Sequence, residues 1–66
     1  MMKQITANHL NVGNIFTKEV KLHNREAFLV KEVPKGKNYK IVESRNTNKT
    51  TKMFLDESEW ITLLHE

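Results

Sequence analysis

The stretch Pro34-Lys35-Gly36-Lys37-Asn38 constrains this chain more than any other, because it holds the only proline and one of the two glycines and separates two β-forming runs. Proline presets φ and removes a backbone donor, and glycine reaches conformations closed to other residues, so these positions form a turn. On one side Ala27-Phe28-Leu29-Val30-Lys31-Glu32-Val33 is rich in aromatic and β-branched residues, and on the other Tyr39-Lys40-Ile41-Val42-Glu43-Ser44 is similar. The two runs read as an antiparallel hairpin.

The neighbouring segments extend the pattern. Arg45-Asn46-Thr47-Asn48-Lys49 is a second polar break, and asparagine tolerates the left-handed backbone of tight turns. Thr50 to Leu55 then returns as a strand. Upstream, Asn11-Val12-Gly13-Asn14 leads into a strand at 15–22 with Phe16, Val20 and Leu22 on one face, closed by the turn His23-Asn24-Arg25-Glu26. The expectation is four strands at about 15–22, 27–33, 39–45 and 50–55 in a meander. An isolated sheet of this size has two costly edges, which curling into a barrel removes.

Pairing sharpens the expectation. With Thr47 and Asn48 as a two-residue turn, Ile41 faces Phe54, Val42 faces Met53 and Glu43 faces Lys52; with 34–38 as a five-residue loop, Val33 faces Tyr39 and Val30 faces Val42. One face then carries Phe28, Val30, Val42, Met53 and Leu55, and the other Leu29, Val33, Tyr39, Ile41 and Phe54. Both are partly apolar, so the sheet bends around two core walls or has its second face covered by another element or a partner.

At the C-terminus the local signals indicate a helix over 57–65. Asp56 and Glu59 have the spacing of a capping box, Leu55 and Trp60 that of a hydrophobic staple, and Trp60, Ile61, Leu63 and Leu64 make an apolar stripe. The expected fold is therefore mainly β: a single domain over 1–66, a small barrel or strongly bent four- to five-stranded antiparallel meander, closed by a short C-terminal helix.

Sixty-six residues give a core only just large enough to offset the entropy of ordering the chain. With no cysteine, neither disulfides nor thiolate metal sites assist, and a reducing compartment, the cytoplasm, is the expected location. No segment approaches the ~20 apolar residues of a membrane span and no signal-type apolar run begins the chain, so neither secretion nor insertion is expected. Charge is divided along the chain: residues 1–55 carry all eleven Lys and Arg for a net +7, and residues 56–66 carry −4. A basic body of this kind suits a polyanion.

The run Val12-Gly13-Asn14-Ile15-Phe16, followed by the strands at 27–33 and 39–44, resembles the start of SH3-like small barrels, in particular the KOW-type modules of transcription and translation factors. The resemblance covers about residues 10–55. It implies a barrel fold and contact with RNA, DNA, the ribosome or a polymerase.

Lys35 and Lys37 share one turn, Arg45 and Lys49 the next, and Lys40 and Lys52 lie on the strands between. These cations supply phosphate contacts, and Tyr39 and Phe54 supply stacking surfaces. The bland reading is that hairpin tips are solvated and that strand lysines protect sheet edges. With Arg25 and Arg45 the only arginines, bidentate base readout is poorly served, so binding of this kind carries little sequence specificity. His9, His23 and His65 lack zinc-site spacing, Gly13 and Gly36 form no phosphate-cradling loop, and no nucleophile with its own base is evident, so no catalytic residue, metal or cofactor is assigned. The leading expectation is a non-enzymatic basic module that binds nucleic acid or a nucleic-acid-bound complex. The alternative is an adaptor or inhibitor, of the kind small phage and mobile-element genes encode, that docks on a larger protein through Val33, Tyr39, Phe54 and Trp60 or through the acidic C-terminal helix.

Overall fold

A computed structural model describes residues 3–18 and 26–65. They form one antiparallel sheet of six strands: β1 (Lys3–Thr6), β2 (Ile15–Thr17), β3 (Phe28–Glu32), β4 (Tyr39–Ser44), β5 (Thr50–Phe54) and β6 (Trp60–His65). The only helical element among the described residues is a 3-10 turn, Ala7–His9. Strand order is β1-β6-β2-β3-β4-β5, so β2 to β5 run as a meander and β6 returns to lie between β1 and β2.

The expected helix over 57–65 is corrected to a turn followed by β6. The Asp56 carbonyl accepts the Glu59 N–H at 3.0 Å, so the acidic residues build a tight turn rather than a helix cap. Beyond it, Ile61 and Leu63 join the core, Thr62 between them is covered as well, and Trp60 is 65% exposed, so strand pairing on both sides rather than clean alternation marks the element. A helix of nine residues is marginal by itself. As a strand the same segment gains a ladder on each side, with β1 (Ile5 opposite Ile61) and with β2 (Thr17 opposite Thr62), and Trp, Ile and Thr all fit a pleated surface. The staple between Leu55 and Trp60 does not form, because Leu55 enters the core and Trp60 faces out.

The closed barrel is likewise replaced by an open sheet, with β1 and β5 as its edges. The sheet is nevertheless bent. Ile5 from one edge strand and Met53 from the other pack on a single core of Ala7, Leu10, Phe16, Val30, Val42, Leu55, Ile61 and Leu63. The connection 55–59 joins strands four positions apart in the sheet, about 19 Å if flat at ~4.8 Å per strand, and five fully extended residues reach scarcely that far. Because this connection includes a turn, curvature has to bring its ends together.

The hairpin boundaries follow local chemistry. Gly36 takes a φ of +74° in the loop before β4. At the β4–β5 turn the expected pairs shift by two residues: Tyr39, not Ile41, stands opposite Phe54, Lys40 opposite Met53 and Ile41 opposite Lys52. The turn is longer than two residues because Ser44 organises it: its N–H donates to the Lys49 carbonyl at 2.8 Å, and its Oγ accepts the N–H groups of Asn46 and Thr47 at 3.2 Å each. Asn48, at φ 63°, supplies the left-handed residue. In β3 and β4, Val30 faces Val42 as expected, but a bulge at Lys31 places Glu32 opposite Ile41 and removes the Val33–Tyr39 pairing. β2 ends at Thr17, and Val20, Leu22, His23 and Arg25 lie outside the described residues. Strand β1 was not expected from the sequence. No helix among the described residues is long and apolar enough to cross a membrane.

Candidate functional site

Side-chain direction sorts the expected site residues into three groups. In β4 the even positions Lys40, Val42 and Ser44 are buried toward the core, while Tyr39, Ile41 and Glu43 face outward and are half-buried. Cross-strand pairing carries this alternation to β5, so Phe54 and Lys52 share the outer face with Tyr39 and Ile41.

The first group is the aromatic and basic cluster on that face. The rings of Tyr39 and Phe54 lie 5.7 Å apart between centroids at an interplanar angle of 59°. Lys52 Nζ stands 4.7 Å from the Tyr39 ring centre, within cation–π range. Tyr39 is partly covered, but Phe54 is 62% exposed on an edge strand. Leu29 on β3 and the pair Lys31–Glu43, 4.0 Å between charged atoms, continue the face away from the edge.

The second group lies on the opposite side of the same strands. Lys40 turns inward opposite Met53 and is only 9% exposed. With Lys35 and Lys37 from the β3–β4 loop it lines a cavity of about 750 Å3, whose other walls include Asn8, Leu55, Asp56 and Glu57. A shallower depression lined by Phe54 and Glu59 shares Asn38, Leu55 and Asp56 with this cavity, so the two sites adjoin around the end of β5.

The third group is remote. Arg45 and Lys49 are exposed at the far end of the β4–β5 hairpin, about five residues or ~17 Å of strand from Tyr39. Val33, 43% exposed past the Lys31 bulge, belongs instead to the wall of the Lys40 cavity, and Trp60 is 65% exposed at the start of β6, next to Glu59, which lines the depression beside Phe54. Of the expected protein-docking quartet of Val33, Tyr39, Phe54 and Trp60, Tyr39 and Phe54 stand in ring contact, while Val33 lines the cavity on the opposite side.

Sequence proximity groups Lys40 with Lys52, whereas the structure sets Lys40 apart on the inner side. The signal was present, since Lys40 sits between Tyr39 and Ile41 and must project to the other side of a strand. Asp56 and Glu57 joined the site because they form a turn, and Asn8 because β1 and its 3-10 turn bring it there: its N–H donates to the Glu57 carbonyl at 3.2 Å. His9 is occupied locally, with Nδ1 at 2.9 Å from Thr6 Oγ1, and His65 lies opposite Ile15 at the exposed end of β6. Among the described residues no three His, Asp or Glu side chains gather as metal ligands.

Comparison with known proteins gave no match: no family model, no curated protein and no solved structure is significantly similar to this chain.

Proposed function

We propose that the chain is a non-enzymatic nucleic-acid-binding module that holds a single strand on the outer face of β4 and β5 with little sequence specificity. The observation that carries this reading is the exposed Phe54 ring beside Tyr39, with Lys52 against the pair. A base stacked on an aromatic ring gains about 1–3 kcal/mol whatever its identity, and neighbouring lysines meet the phosphates between bases. The +7 formal charge over residues 1–55 supports the same partner class.

Titration of labelled single- and double-stranded DNA and RNA at about 50 and 200 mM salt tests the reading. Micromolar binding of single strands that weakens steeply with salt is the expected result, and no binding at the lower salt contradicts it. A protein target is the second reading, supported by the same exposed ring on an edge strand, where a partner strand finds unpaired backbone groups. It predicts capture of a folded protein with a shallow salt dependence.

A further inference from the structure

We infer that the cavity behind β4 is a phosphate-monoester site that receives the end of the bound strand, with Lys40 as its central cation; this rests on the nucleic-acid reading above. Lys40 is more than nine-tenths buried, yet among the described residues no hydrogen bond or ion pair joins its side chain to another. Asp56 and Glu57 line the same cavity without coming within ion-pairing distance of it. Because no buried side-chain nitrogen among the described residues lacks a partner, the ammonium is not sealed in the core. Its stem is buried beside the core and its head emerges into the cavity. A cation held in place by its strand, with no counter-ion of its own, is prepared for an anion from outside.

The surroundings select the kind of anion. Lys35 and Lys37 reach the same space from the loop, and the amides of Asn8 and Asn38 add donors. Asp56 and Glu57 offset two of the three lysine charges, so the cavity keeps one net positive charge. An internal phosphodiester, with a single charge, gains little there. A terminal monoester carries about −1.5 to −2 at pH 7 and three acceptor oxygens, and gains more. The position fits as well, because the cavity adjoins the depression that Phe54 lines, and a strand stacked on that ring ends beside Lys40.

The experiment compares oligothymidylates of about eight nucleotides, within the span of small single-strand sites, bearing a 5′-phosphate, a 3′-phosphate or neither. One phosphorylated form should bind about tenfold more tightly than the unphosphorylated strand, equivalent to roughly 1.4 kcal/mol. Lys40→Met, which keeps the apolar stem, should bring that ratio close to one while the unphosphorylated strand still binds. Lys37→Ala, at an exposed loop position, should lower the ratio too and carries the comparison if Lys40→Met does not fold. Equal binding of all three strands by the native chain overturns the phosphate site and leaves the aromatic face standing. If no strand binds, the nucleic-acid reading fails, and inorganic phosphate titrated against the amide resonances of residues 35–40 decides the cavity: saturable shifts support an anion site and unchanged spectra overturn it.

Discussion

Phe54 stands directly opposite Tyr39 across the β4–β5 ladder, and the two rings touch while Phe54 keeps most of its surface in water. Burying such a side chain is worth about 1.5–3 kcal/mol, which the fold forgoes here. Phe54→Ala should therefore weaken single-strand binding by about 1–3 kcal/mol. The same change should alter unfolding free energy by no more than about 1 kcal/mol, the scale of the lost ring pair. Denaturant titration beside a binding isotherm separates the two, and a large stability loss with unchanged affinity would refute the assignment.

The basic residues differ in value according to their place on the sheet. Lys52 lies against Tyr39, whereas Arg45 and Lys49 occupy the distant hairpin tip. Lys52→Ala should weaken binding and make the salt slope shallower by about 0.7, the value for one phosphate contact on a single strand. Arg45→Ala with Lys49→Ala should leave affinity for a short oligomer nearly unchanged. The opposite ranking would move the site to the tip.

Strand β6 makes a prediction that the helical alternative reverses. Trp60 is exposed on the strand, whereas Leu63 is 3% exposed and opposite both Phe16 and Lys3. Leu63→Ala should cost about 2–5 kcal/mol as a core truncation. Trp60→Ala should stay within about 1 kcal/mol, as a surface change does. In a helix Trp60 would be a core staple, so a heavy penalty at Trp60 in chemical denaturation would contradict the strand.

Asn48 holds a φ of 63° between Thr47 and Lys49. Asn48→Gly should be neutral or slightly stabilising, and Asn48→Val should cost about 1–2 kcal/mol, because a β-branched side chain is strained in the left-handed region. Thermal unfolding of both variants checks the pair. Equal midpoints would argue against this turn geometry.

Much of the central sheet was legible in the sequence because it depends on period-two alternation. The division of Phe28, Val30, Val42, Met53 and Leu55 from Leu29, Tyr39, Ile41 and Phe54 corresponds to the core side and the outward side, whereas the Lys31 bulge turns Val33, expected outward, to the side of Lys40. It survived a two-residue error in the β4–β5 register because an even slip leaves every side chain on its own face. What escaped was non-local. Asp56 and Glu59 have the same spacing in a capping box and across a four-residue turn, and only the vacancy between β1 and β2 decides for a strand. Lys3–Thr6 is too short and polar to announce itself, and becomes a strand by pairing with β6. For the site, Tyr39, Lys52 and Phe54 were each expected as contacts and lie together, in a register that pairs Tyr39 rather than Ile41 with Phe54, while Lys40, expected beside Lys52, belongs to the other face by the same alternation.

Amide-resonance mapping with an unstructured oligothymidylate of about eight nucleotides tests the central claim most directly, since it reports location as well as binding. Shifts concentrated at Tyr39, Lys52 and Phe54, fading at higher salt, are the predicted result. Shifts centred on Trp60 and β1, or a spectrum unmoved by the oligomer at low salt, would contradict it.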